Sequence, residues 1–163
     1  MENIFAPWRM EYILDDNKEN GCIFCNFPLE KNDKKRLIVA RSKKCFVMLN
    51  AYPYNNGHLM VSPYRHIADY ENLSFDELVD IHINVQKVIK MLKRVQNPQG
   101  FNIGLNLGKT AGAGFDEHLH VHIVPRWNGD TNFMPVLNDT RVIPQSLLET
   151  YKLFKEDWDK HEC

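Results

Sequence analysis

The chain has 163 residues, of which 44% are hydrophobic and 25% charged, with a formal net charge of -1 at pH 7. A chain of this length builds a real core without disulfide or metal support, so one domain over residues 1–163 is expected. Near-zero charge excludes a globally basic surface for nucleic-acid polymers or anionic membranes, and any anionic ligand must be held by local groups.

No stretch is long and apolar enough to span a bilayer. The N-terminal "MENIFAPWRMEYILDD" carries acids and lacks the apolar core of a secretory peptide. A cytoplasmic address is therefore expected, and with it reduced thiols at Cys22, Cys25, Cys45 and Cys163.

In chain order, residues 1–20 read as an irregular aromatic arm. "GCIFCNFP" reads as a tight turn bearing two thiols, and "KNDKKR" as a charged, solvated turn. "LIVARSKKCFVMLN" predicts two strands, Leu37 to Ala40 and Cys45 to Asn50, around a basic turn. "AYPYNNG" is a turn, and "HLMVSP" a short strand stopped by Pro63. Ser74 and Glu77 then form a capping box. Leu78, Ile81, Val85, Val88, Leu92 and Val95 follow at helical spacing. The helix should end near Gln96, because proline in "NPQG" removes a donor and disfavours helix just before it.

"FNIGLNLG" predicts a strand running into the glycine-rich "GKTAGAG", and "EHLHVHIVPR" predicts the next strand. A polar loop, "RWNGDTNFMP", leads to a last helix starting near Pro144, with Leu147, Leu148, Tyr151, Phe154 and Trp158 on its apolar face. Short strands joined by tight turns favour antiparallel pairing and an α+β fold; one long helix between strands fits a doubly wound parallel sheet poorly.

Three of the seven histidines fall in five residues: His118, His120 and His122. On a strand, residues two apart share a face, so these three rings line one side while Leu119, Val121 and Ile123 line the core side. A three-histidine catalytic zinc is one reading. The outer pair lies about 13 Å apart at ~3.3 Å per residue. Zinc–nitrogen bonds of about 2.0 Å would need tight convergence, which one extended strand resists. The other reading is a nucleophilic histidine acting on a phosphate ester or anhydride. One ring nitrogen attacks phosphorus if the other donates its proton to a fixed acceptor. Flanking histidines donate hydrogen bonds to phosphoryl oxygens. His120, with a neighbour on each side, is best placed as nucleophile. The adjacent "GKTAGAG" can offer backbone N–H groups to phosphate. It is not a Walker A loop, because Lys109 precedes the glycine string.

"HLHVHIVPR" resembles the motif of the histidine triad family of nucleotide hydrolases and transferases. "LNAYPYNNGHLMVSPYRH" and "NLGKTAGAG" resemble the family's ligand strand, "GH" strand, "P-x-x-H" segment and phosphate loop. The resemblance implies a core of about residues 22–127, flanked by an arm, 1–21, and a C-terminal loop and helix, 128–163. It implies an antiparallel sheet of about five strands with one long packed helix, and a homodimer joined through the long helix region. His120 would form a nucleotidyl-histidine intermediate, and His58 and His122 would hydrogen-bond the α-phosphate. Asn50 matches the ribose-contacting position; Asn106 and the amides of Gly112, Ala113 and Gly114 match the phosphate cradle. One departure is that "AGAG" carries no side-chain donor, where many members have Gly-Gln-Ser or Gly-Gln-Thr.

"FAPWRMEYI" and "PRWNGDTNFMPV" resemble the branch acting on dinucleoside polyphosphates such as diadenosine tetraphosphate. Water and inorganic phosphate remain open as acceptors, since both use the same intermediate. A nucleoside phosphoramidate hydrolase and a low-turnover nucleotide-binding module are the alternatives. "CIFC" alone is open between a redox pair, a metal knuckle and coincidence. By the resemblance, Cys22, Cys25, His66 and His118 would make a closed, structural zinc site. Cys45 reads as core and Cys163 as an exposed tail.

Overall fold

A computed structural model of the chain describes residues 21–130 and 143–162. Among the described residues the α-helices and strands are, in chain order, α1 (Ile23–Leu29), α2 (Asp33–Arg36), β1 (Ile38–Arg41), β2 (Cys45–Leu49), β3 (Leu59–Pro63), α3 (Phe75–Val95), β4 (Gly100–Gly104), β5 (Val121–Arg126) and α4 (Leu147–His161). The aromatic arm, residues 131–142 with the later part of the predicted polar loop, and Cys163 lie outside the described residues.

The strands form one antiparallel sheet in the order β1-β2-β3-β5-β4. This is the α+β architecture expected. Its two faces carry different cores. Val47 and Leu49 of β2, Leu59 and Val61 of β3, and Val121 and Ile123 of β5 face α3, which contributes Ile81, Val85, Val88, Met91 and Leu92. Phe46, Met48 and Met60 point the other way and pack with Phe24 and Ile38. Both faces of β2 and β3 are thus buried, so their sequences read as continuous apolar runs instead of alternating ones.

Helix α3 starts as expected. Ser74 accepts from the Glu77 N–H, and the Glu77 carboxylate accepts the Ser74 N–H at 2.8 Å. Its last residue is Val95, capped by Gln96. Arg65, on the segment leaving β3, donates to both Glu77 carboxylate oxygens at 2.8 and 2.7 Å. The helix start is thereby fastened to the residue preceding His66.

Six local expectations are corrected. "GCIFCNFP" is not a tight turn: Ile23–Leu29 is helical, with Asn26 N–H bonding Cys22 O at 3.0 Å. "KNDKKR" contains a helical turn capped by Asn32, whose side chain accepts from Lys35 N–H. Leu37 does not begin β1, because its φ of 56° is left-handed and the strand starts one residue later. Helix α4 starts three residues beyond Pro144, where Ser146 accepts from Glu149 N–H; a real cap outweighed the positional preference of proline. Leu148 is 52% exposed and leaves the apolar face, while Tyr151, Phe154 and Trp158 join the α3 core. Strand β4 is also shorter than "FNIGLNLG", ending at Gly104.

Candidate active site and metal knuckle

Of the three alternate histidines, only His122 lies in the regular strand, since β5 begins at Val121. The regular β3–β5 ladder stops at Val121; before it, Leu119 N–H bonds Ile67 O at 2.7 Å and Leu119 O accepts from Ser62 Oγ at 3.0 Å. The side-to-side alternation nevertheless continues: Leu119, Val121 and Ile123 are all in the α3-side core. His118, His120 and His122 occupy the opposite side at 0%, 7% and 9% exposure.

The backbone just before β5 gives His120 its acceptor. Its Nδ1 lies 2.8 Å from the His118 carbonyl oxygen. A carbonyl can only accept, so Nδ1 carries the proton and Nε2 the lone pair. Burial pushes the His120 pKa below the ordinary imidazole value, against the opposing pull of that hydrogen bond. The ring is thus oriented with its lone pair on Nε2, and burial favours its neutral form.

A second chain of bonds sets His122. Tyr54 N–H donates to His58 Nδ1 at 3.1 Å. His58 therefore carries its proton on Nε2, which lies 2.9 Å from His122 Nδ1. His122 accepts there and carries its own proton on Nε2. The rings of His120 and His122 meet edge to face with centroids 4.7 Å apart. His58 is fully buried and gives its N–H to His122. This differs from the expectation that it bonds phosphate directly. Asn50 Nδ2 also lies 3.4 Å from His58 Nδ1, and Asn50 Oδ1 accepts Tyr52 N–H at 2.9 Å. Gly57, with φ +77°, makes the turn that brings His58 back into β3.

The glycine-rich loop holds a 3₁₀ turn, Lys109–Ala111, flanked by Gly108 at φ +78° and Gly112 at φ +88°. The Gly112 amide donates to Lys109 O at 2.9 Å, so it serves the turn rather than a cradle. Asn106 and Ala113 are half-buried and Gly114 is exposed.

The thiols stand beside this site. Cys22 Sγ is 3.2 Å from His118 Nδ1, Cys25 Sγ is 3.5 Å from the same nitrogen, and Cys25 Sγ is 3.4 Å from His66 Nδ1. Cys22 and Cys25 come together because positions three apart on helix α1 share a side. The four donor atoms all lie within 4.8 Å of one another, the one metal-capable cluster found among the described residues. A tetrahedron with metal bonds of about 2.0–2.3 Å has edges of about 3.5 Å, so this donor set fits zinc. His118 Nε2 donates to Pro63 O at 2.9 Å, which aims Nδ1 at the thiols. Burial, then the neighbouring Cys22, pushes the Cys25 thiol up to about 11.

Sequence reasoning missed Phe24 and Tyr54. Phe24, between the two thiols, stacks on His120 with centroids 4.7 Å apart and planes at 22°. Tyr54 packs on His58 at 4.6 Å. Reading "GCIFC" as a helix would have placed Phe24 beside the site; Tyr54 acts through backbone and leaves no sequence signal.

The fold and site define an α+β protein that presents an oriented, neutral histidine on one sheet face beside a two-thiol, two-imidazole knuckle. The model of the HIT domain matches residues 31–129, and the chain belongs to that family. It is 42% identical, over 97% of its length and 85% of the relative's, to an AP-4-A phosphorylase of Mycobacterium tuberculosis. It is 32% identical to the asymmetrical bis(5'-nucleosyl)-tetraphosphatase of Schizosaccharomyces pombe, over 67% of this chain and 56% of that protein. Its fold matches a Zn-bound histidine triad family protein from Mycobacterium smegmatis with TM-score 0.70 and 23% identity, covering 87% of this chain and 96% of that one.

Proposed function

We propose that the chain cleaves a nucleotide phosphoanhydride at the α-phosphorus, with a dinucleoside polyphosphate such as diadenosine tetraphosphate as substrate. The observation that carries this reading is the 2.8 Å bond from His120 Nδ1 to the His118 carbonyl, which leaves Nε2 as the attacking atom. In the first step His120 Nε2 bonds to phosphorus and the bridging P–O bond breaks, releasing the remaining nucleoside polyphosphate. His122 Nε2–H donates to a phosphoryl oxygen as charge builds there, and His58 holds His122 in the donating tautomer. Asn50 serves the ribose, and Asn106 with the amides of Ala113 and Gly114 serves the phosphates. In the second step an acceptor displaces His120. Water yields a nucleoside monophosphate; inorganic phosphate yields a nucleoside diphosphate. The 42% identity to an AP-4-A phosphorylase favours phosphate.

Cys22, Cys25, His66 and His118 would hold a zinc ion. With no open position among four protein ligands, its chemistry is structural, and its charge offsets the burial of the thiols. Free thiols at such a site suit a reducing, cytoplasmic compartment. No helix among the described residues is long and apolar enough to cross a membrane. A homodimer completes the reading. Strand β4 is an edge of the sheet among the described residues, and Phe75, Val79 and Ile83 make an exposed apolar row along α3, with Ile103 of β4 exposed near it. An apolar cavity of about 210 Å³ lies between α3 and β4 at the same flank.

The decisive experiment mixes enzyme with labelled diadenosine tetraphosphate, with and without inorganic phosphate, and quenches in time. A label bound to the wild-type chain and absent from His120→Ala supports the reading. An adduct of undiminished yield in His120→Ala removes it.

A further inference from the structure

The thiol pair and the nucleophile are neighbours through one ring. Phe24 sits between Cys22 and Cys25 on α1 and is 2% exposed. Its face lies on His120 at 4.7 Å with 22° between planes, while His118 is 5.3 Å away and tilted by 39°. Phe115, at the end of the glycine-rich loop, meets Phe24 edge-on at 5.8 Å. His120 is thus bounded on one face by Phe24 and met by His122, whose ring lies 4.7 Å away at 77° to it.

A single hydrogen bond through Nδ1 restrains an imidazole only loosely about its Cβ–Cγ bond, because that torsion has a broad minimum. It fixes where Nε2 sits only if something also sets the ring plane. A flat apolar partner does this without offering a competing acceptor. Helix α1 is only seven residues long, too short to stand alone in water. Its position comes from what its side chains bind, namely the knuckle through Cys22 and Cys25 and the apolar cluster through Phe24.

We propose that Phe24 is a positioning residue for the reaction: it sets the plane of the His120 ring and so transmits the order of the thiol knuckle to the attacking nitrogen. This rests on the reading of His120 as nucleophile. The stacked contact of Phe24 is with the His120 ring, and Phe24 acts through that ring. Removing the flat ring while keeping apolar volume should slow attack, because fewer encounters find Nε2 in line. Ground-state affinity should change little.

The test compares Phe24→Leu and Phe24→Tyr with the parent, using single-turnover transfer of labelled nucleotide from diadenosine tetraphosphate to the chain. Phe24→Leu should lose tenfold or more in the transfer rate with KM within twofold, and Phe24→Tyr should recover to within threefold of the parent. Zinc content by elemental analysis should match the parent in both. A Phe24→Leu rate within twofold of the parent overturns the proposal. So does an unchanged rate with a raised KM, which would put Phe24 against the bound nucleoside. A slowed variant that has also lost its zinc overturns direct positioning as well. NMR of the parent needs no variant: cross-relaxation between the Phe24 ring and the His120 ring protons is expected, and its absence refutes the stack. Failure of the His120 reading looks different, since then the parent itself carries no label.

Discussion

His58 and His122 share one proton position: His58 Nε2 lies 2.9 Å from His122 Nδ1, and Tyr54 N–H on His58 Nδ1 decides which ring donates. The pair therefore works as a unit in which His58 donates and His122 accepts, leaving the His122 proton on Nε2. Groups that act as a unit are not additive when removed. His122→Ala should lower kcat about 10²–10³-fold, as for loss of a donor to developing charge. His58→Phe should lower it about tenfold or more, and the double variant should be no worse than His122→Ala. Steady-state kinetics of the three variants measure this; fully multiplicative losses would show that His58 acts on substrate independently.

The knuckle should carry stoichiometric zinc in the parent. Cys25→Ser and His66→Ala should each reduce the metal found by elemental analysis, and both should lower the melting temperature. Loss of a structural ligand removes folding energy as well as a bond. His66 is exposed, so its replacement costs little core packing, and a lowered melting point there reports the metal rather than a cavity. Undiminished zinc in both variants would refute the four-ligand assignment.

Glu77 gives a pH signature of the α3 start. The Arg65 guanidinium, opposed by burial and helped by the Ser74 N–H, holds its carboxyl down at about 2. A carboxyl depressed in the folded state adds stability that is complete above its unfolded value near 4.3. That contribution is lost as pH falls from there toward 2. Urea midpoints should therefore drop from about pH 5 down to about pH 2, and Glu77→Gln should be less stable at pH 7 with a shallower drop. Equal slopes for parent and variant would remove Glu77 from this role.

The open β4 edge and the α3 row should bury against a second copy. Val79→Asp combined with Ile103→Lys should shift the protein from dimer to monomer in sedimentation equilibrium. An exposed edge strand is blunted by lysine, and an apolar row by charge. A monomeric parent would sink the dimer; an undisturbed dimer in the double variant would place the contact elsewhere.

Much of this site was legible in the chain. The capping box at Ser74 and Glu77 and the period of α3 depend only on neighbours within a few residues, and both formed where expected. The alternation of His118, His120 and His122 against Leu119, Val121 and Ile123 also survived, although the ladder begins only at Val121. Less legible were α1, whose thiols read as a turn, and Leu148, whose direction depends on where α4 begins.

By itself the sequence determined which chemistry was present: imidazoles at a two-residue period, thiols three apart, glycines before the triad, and apolar spacing enough for one sheet and one long helix. Only the tertiary structure decided which nitrogen of each histidine carries its proton. Tautomers are set by the backbone partners that folding supplies: the His118 carbonyl accepts from His120, the Tyr54 N–H donates to His58, and Pro63 O accepts from His118. Backbone N–H and C=O groups are the same at every residue, so no choice of side chain records which of them a ring will meet.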